Sequence, residues 1–174
     1  MNFLANKIAV SIKNANPDQT ASIEVMRYAL EILLNTLFIV LMSALIGILL
    51  GTSGETLLFL GSFIVLRLCS GGFHLRTAAA CNLATIALST IVPYAVEPNG
   101  TWTLALTLIS GFILLWFAPN PDPHSQIPKR LYTPLKIASL LLICIILLVP
   151  SSVIALAFFV QALTVIPWQR RVVL

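Results

Sequence analysis

Long apolar runs alternate along the chain with short polar gaps, and the Lys and Arg residues are confined to those gaps. Phe3, Leu4, Ile8, Ile12 and Ala15 recur at helical spacing with Lys7, Lys13 and Asn14 off the stripe, which predicts a short helix lying in a membrane interface. Asn16-Pro17-Asp18-Gln19 then reads as a helix start, with a capping Asn, Pro at the first helical position and Gln three residues after the cap. The helix it opens passes Glu24, Arg27 and Glu31 and becomes almost wholly apolar from Ile32 to Leu50, roughly 30 Å of hydrocarbon at about 1.5 Å per residue. Further apolar runs extend from Thr56 to Cys69, Ala78 to Val96, Thr101 to Ala118, Leu135 to Val149 and Ser152 to Ile166. The last two are short, and Pro150-Ser151-Ser152 between them is read as a hairpin, giving six spans.

The distribution of charge tests that count. With six spans, Lys7, Lys13 and Arg27, then Arg67 and Arg76, then Lys129, Arg130 and Lys136, and finally Arg170 and Arg171 all fall on one side, and the other gaps hold no Lys or Arg. The prediction is an all-α polytopic integral membrane bundle of about six transmembrane helices, with both termini cytoplasmic, an N-terminal interfacial helix, and residues 1–174 as one integral membrane domain. Composition agrees: 59% of residues are apolar and 9% charged, against about 25% charged in soluble domains. A net charge of +4 would suit a nucleic-acid binder, but the basic residues sit where topology and anionic headgroups need them, so the expected partner is the lipid bilayer and no nucleic acid is expected. No cleavable signal peptide is expected, because Lys7 and Lys13 interrupt the first apolar stretch. No clear Gly-x₃-Gly interface marks a homodimer seam, apart from weaker small-residue pairs such as Ser43 with Gly47 and Gly47 with Gly51.

Ionisable residues near membrane depth are costly and often functional, and their densest run is Arg67-Leu68-Cys69-Ser70-Gly71-Gly72-Phe73-His74-Leu75-Arg76-Thr77, continuing to Cys81 and Asn82. Gly71-Gly72 breaks the second span, and the backbone groups set free there need protein or water partners. His74 and Cys81 on one continuous helix would be about 10 Å apart along its axis, too far for proton transfer. If instead Thr77 caps the third span, Cys81 lies one turn inside that helix and His74 in the loop before it, free to fold back. A helix N-terminus and a neighbouring imidazolium both favour the thiolate form of a cysteine, the form that attacks carbonyls, whereas apolar burial opposes it. The expected dyad is therefore Cys81 as nucleophile and His74 as base, with amides at Gly71 and Gly72 stabilising an oxyanion. Arg67 and Arg76 are either supporting residues or topology charges. Ser70, Asn82, Asp122 and Gln126 are candidates for orienting His74. Cys69, Cys81 and Cys144 form no CxxC pair and are expected as thiols, Cys144 and Cys69 as packing residues. His74 and Cys81 lack a third ligand, so no metal and no cofactor is expected.

The pattern Arg67-x₃-Gly71-Gly72-Phe73-His74-x₆-Cys81 resembles the signature of the accessory gene regulator B family, integral-membrane cysteine endopeptidases of bacterial quorum sensing. The polar helix with Glu24, Tyr28 and Glu31 before the first span, and Ala118-Pro119 opening the basic loop, extend the resemblance over most of the chain. It implies a cell-membrane peptidase that cuts a small propeptide, holds its N-terminal part as a thioester and passes it to a nucleophile within the peptide, yielding a cyclic thiolactone or lactone. By that likeness His74 matches the base and Cys81 the nucleophile, Arg67 and Gly72 occupy motif positions, and a homodimer is favoured. The loop from Asn120 to Pro128 is richer in Pro than the family pattern. The basic loop and tail would attract an acidic peptide. The alternative is a small membrane transporter or export component whose broken helices line a path; Thr107, Ser110, Ser139, Gln161 and Thr164 are nearly all the polar groups that spans four to six offer for one.

Overall fold

In the computed structural model the described residues are 2–73, 75, 77–95, 100–121, 128–148 and 150–167. Among them the chain is helical throughout: α1 (Asn2–Ala15), α2 (Ile23–Leu50), α3 (Ser53–Ser70), α4 (Ala78–Ala95), α5 (Gly100–Phe117), α6 (Tyr132–Leu148) and α7 (Ser152–Val165), with a 3-10 turn at Lys129–Leu131 leading into α6. The one extended pairing among these residues is an isolated parallel bridge between Gly71 and Asn120. Five helices are long and apolar enough to cross a membrane: α2, α3, α4, α5, and α6 with its 3-10 turn. The sixth expected span, α7, has 14 residues, about 21 Å of helix, and is a shorter apolar helix. Contacts divide the chain into two units, residues 1–42 and 43–174.

In the first unit, α1 buries Ala5 and Ala9 and leaves Phe3, Leu4 and Ile12 exposed, the uncovered apolar stripe that an interfacial helix offers to lipid. The long helix starts later than Asn16-Pro17 predicts. Lys13 Nζ donates to the carbonyls of Pro17 (2.7 Å) and Thr20 (3.0 Å), and Thr20 Oγ1 donates to that of Asn16 (2.7 Å). Those bonds stabilise a turn, and the helix begins only where Ser22 accepts from the Val25 amide (3.4 Å).

In the second unit, α7 packs against α5 and α3, more lightly against α6 and α4, while α3 also holds α4 and α6. Ala155, Ala157 and Ala162 are fully buried on α7, and small side chains let helices approach closely where lipid gives no hydrophobic drive to associate. Leu66, Leu114, Ile143, Ile146, Phe158 and Val165 form one core cluster with Ala162, and Phe59 and Phe63 another with Ala157. The polarity is inverted relative to a soluble protein. Large apolar side chains such as Ile48, Leu83, Phe112 and Leu148 face outward, while Ser43, Thr56, Ser89, Thr107, Ser110 and Ser139 lie inside. Thr107, Ser110 and Ser139 donate to carbonyls one turn back in their own helices. Ser43 and Ser89 bond across α2 and α4 at 3.0 Å, and Thr103 and Ser152 across α5 and α7 at 2.8 Å.

The small residues near the end of α2 serve this intrachain packing. A side chain at Gly47 would meet Thr56 Oγ1 at 2.9 Å and the Ser53 backbone at 3.1 Å. The helix closes there with the Gly51 amide on Ile48 (3.2 Å) and the Thr52 amide on Gly47 (2.8 Å), the paired bonds of a Schellman stop. Ser43 and Gly47 are thus covered from within the chain and do not form the exposed seam that their spacing suggests. Gly47→Val should destabilise the detergent-solubilised protein by about 1–3 kcal/mol, seen as a lowered Tm; an unchanged Tm would contradict this packing.

Candidate active site

α3 ends where Ser70 meets two glycines. The Ser70 hydroxyl turns back to the Leu66 carbonyl (2.8 Å), and Gly71 (φ +70°) and Gly72 (φ +136°) carry the chain out of the helix through backbone conformations that other residues rarely adopt. The loop after α5 runs alongside. The Asn120 amide donates to the Ser70 carbonyl (2.9 Å), and the Gly72 amide donates to the Asn120 carbonyl (2.8 Å). The Ala118–Pro119 peptide before Asn120 is cis. Asn120 Nδ2 reaches the Val165 carbonyl at 3.0 Å, so three segments distant in sequence meet at one end of α7.

Arg67, one turn before the break, joins them. Its Nη2 donates to the Phe73 carbonyl at 2.8 Å, and its Nη1 points to Gln161 Oε1 (3.3 Å) and Thr164 Oγ1 (3.4 Å). The guanidinium also lies 5.8 Å from the centre of the Phe63 ring, within cation–π range. Gln161 is fully buried, and its Nε2 donates to the Gly71 carbonyl (2.6 Å) and to Ser70 Oγ (3.0 Å). The Thr164 carbonyl accepts from the Phe73 amide at 2.9 Å. A polar junction of this kind inside a membrane bundle persists only when its donors and acceptors are matched.

One expectation changes here. The amides of Gly71 and Gly72 are engaged by the carbonyls of Arg67 and Asn120, as that of Phe73 is by Thr164, so the two glycine amides are not the oxyanion donors expected of them; the double glycine builds a turn instead. Ser70 is buried and bonded to Leu66 and Gln161; its expected role in orienting His74 falls on a residue outside the described ones. Gln161, Thr164 and Asn120 were overlooked as site residues. The available signal was a lone amide in the otherwise apolar Ser152–Ile166 run.

Beyond the junction, Thr77 caps α4 as expected: its Oγ1 accepts from the Ala80 amide (3.1 Å), and its carbonyl accepts from the Cys81 amide (3.1 Å). Cys81 therefore lies in the first turn of α4, at the positive end of the helix dipole. It is half-buried, and the Thr85 hydroxyl donates to its carbonyl at 2.9 Å. Cys69, Cys81 and Cys144 are all thiols, Cys144 on the exposed face of α6. Lys129 and Arg130 are exposed on the turn before α6, with Lys136 half-buried one turn into it. His74 and Arg76 lie outside the described residues, as do Asp122, Gln126, Arg170 and Arg171. Among the described residues no three His, Cys, Asp or Glu side chains come together as metal ligands.

Comparison with known proteins assigns the chain. The family model described as accessory gene regulator B matches residues 5–169. An AgrB-like protein of Halalkalibacterium halodurans is 31% identical, the match covering 83% of this chain and 75% of that protein. Protein FsrB of Enterococcus faecalis is 24% identical over 90% of this chain and 69% of its own length, and accessory gene regulator protein B of Staphylococcus aureus is 25% identical over 96% of both. No solved structure matches. The chain belongs to the accessory gene regulator B family of membrane proteins.

Proposed function

We propose that this protein is a membrane-embedded cysteine endopeptidase that matures a small propeptide into a cyclic signal. The observation that carries the reading is Cys81 in the capped first turn of α4, four residues after Thr77 and seven after His74 in a chain of this family. In the reaction, His74 takes the thiol proton as Cys81 sulfur attacks a peptide carbonyl. The tetrahedral adduct collapses, and the C–N bond breaks as the imidazolium returns the proton to the leaving amine. The N-terminal part of the propeptide stays on Cys81 as a thioester. A thiol or hydroxyl within that peptide then attacks the thioester, closing a thiolactone or lactone and regenerating Cys81. The apolar surroundings withhold water so that the internal nucleophile, held nearby, wins over hydrolysis.

Both termini and the site lie on the cytoplasmic side in this proposal, supported by the confinement of all ten Lys and Arg residues to one set of gaps. The substrate is a propeptide with an acidic tail, drawn towards Lys129, Arg130 and Lys136.

The intermediate is testable directly. Membranes containing the protein are incubated with a propeptide whose internal nucleophile is replaced by alanine, so that ring closure is blocked. The expected product is an adduct with the mass of the N-terminal fragment, mapped to Cys81 and released by neutral hydroxylamine, as thioesters are. Cleavage with no hydroxylamine-labile adduct, or an adduct on Cys69 or Cys144, would refute the mechanism.

A further inference from the structure

We infer that Gln161 on the last helix is a positioning residue for His74, acting through Arg67 on the backbone immediately before it. The inference rests on the cysteine endopeptidase reading and adds α7 to its machinery. The Phe73 carbonyl belongs to the peptide unit joining Phe73 to His74, and that unit is planar and stiff. Arg67 Nη2 holds this carbonyl at 2.8 Å, while the Phe73 amide is held by the Thr164 carbonyl at 2.9 Å. The residue before His74 is therefore fixed from both sides, and both fixings trace to α7.

Arg67 cannot do this alone. Its side chain is long and flexible, and a guanidinium in apolar surroundings needs acceptors for its remaining N–H groups. Gln161 Oε1 and Thr164 Oγ1 supply them on the Nη1 side, at 3.3 and 3.4 Å. Gln161 is itself held, because Nε2 donates to Ser70 Oγ and the Gly71 carbonyl and Thr164 Oγ1 donates to its Oε1 at 3.1 Å. Being fully buried, this amide has no water to turn to, so its orientation and that of the guanidinium are set together. The planar guanidinium places Nη1 and Nη2 as separate donors towards Gln161 and Phe73, a fixed fork that the single nitrogen of lysine lacks.

The test reads the thiol without needing propeptide. In a Cys69→Ser, Cys144→Ser background, the rate at which iodoacetamide alkylates Cys81 in membranes at neutral pH is measured for the parent and for His74→Ala, Gln161→Met, Arg67→Met and the Arg67→Met, Gln161→Met double variant. The expected result is that His74→Ala and Gln161→Met each slow alkylation by about tenfold or more, since both lose the positioned base. Arg67→Met slows it comparably, and the Arg67→Met, Gln161→Met double variant is slower than Arg67→Met alone by no more than about threefold, a non-additivity that two separate structural roles would not give. With propeptide, Gln161→Met lowers kcat and leaves KM near the parent value. If Gln161→Met fails to accumulate, Thr164→Val, which removes the other Nη1 acceptor, should slow alkylation in the same direction.

Gln161→Met alkylating at the parent rate while His74→Ala is slow would overturn the inference and leave the dyad standing. A double variant whose slowing is the product of the two single effects in folded protein would also overturn it, since the amide would not then act through Arg67. If His74→Ala itself reacts at the parent rate, the dyad falls and this inference falls with it.

Discussion

Replacing Cys81 with alanine is expected to abolish propeptide cleavage, by at least about 10³-fold, while membrane insertion and helix content stay at parental levels. The size of the loss follows from the proposed reaction: without the sulfur no acyl-enzyme forms, and the remaining groups can only bind the peptide. The mildness of the structural effect follows from the site. Cys81 is half-buried in the first turn of α4, and that turn is held by the Thr77 hydroxyl and carbonyl and by backbone bonds, none of which involves sulfur. Alanine suits a helix at least as well as cysteine, so the stability cost is that of one small contact, about 1 kcal/mol or less. Cys81→Ser should be nearly as inactive, because a serine hydroxyl gives up its proton far less readily than a thiol and attacks weakly without it. Cys144→Ser, on the exposed face of α6, should cleave at the parental rate. Cleavage by Cys81→Ala in membranes, measured by mass spectrometry of the released C-terminal fragment, would remove the nucleophile from the proposal.

The same contrast between local and distant causes explains what could be read from the sequence. Helices α3 to α7 begin and end within about three residues of the predicted runs, because an apolar run bounded by Gly, Pro or charge is the spanning helix itself when lipid is the solvent. The Thr77 cap was legible for the same reason, since a cap depends on residues only three positions away. The start of α2 was not, although Asn16-Pro17 has good starting chemistry. Lys13, on the preceding helix, reaches over and stabilises a turn in its place, and no spacing rule anticipates a side chain arriving from outside the motif. The site divides likewise. His74 and Cys81 are visible as a motif, whereas the use of the Gly71 and Gly72 amides depends on Asn120 and Arg67 carbonyls, and the role of Arg67 depends on Gln161. Basic residues at a span end satisfy the positive-inside rule whether or not they do anything else, so the sequence leaves Arg67 as either a supporting residue or a topology charge, and its partners show what it holds.

Gly71→Ala should lower cleavage by about 10²-fold through displacement of the segment that leads to His74. Two effects combine. With φ at +70° and ψ at −145°, Gly71 lies where a side chain adds about 1–3 kcal/mol of backbone strain. The new Cβ would also run into the Asn120 carbonyl, adding roughly 1–3 kcal/mol of overpacking. That carbonyl accepts from Gly72, and the Asn120 amide donates to Ser70, so moving it loosens both bonds joining the two loops. Gly61→Ala is the control. It adds the same methyl within α3, where nothing lies within 4 Å, and there alanine should be neutral or stabilise the helix by up to about 1 kcal/mol. Cleavage rate and Tm of the two variants, measured side by side, separate the turn from a general intolerance of the helix. A Gly71→Ala protein that cleaves as fast as Gly61→Ala would mean that the junction between the α3 turn, the Asn120 loop and α7 does not govern the site. Loss confined to Gly71→Ala would mean that the reacting groups depend on a turn that only a residue without a side chain can make.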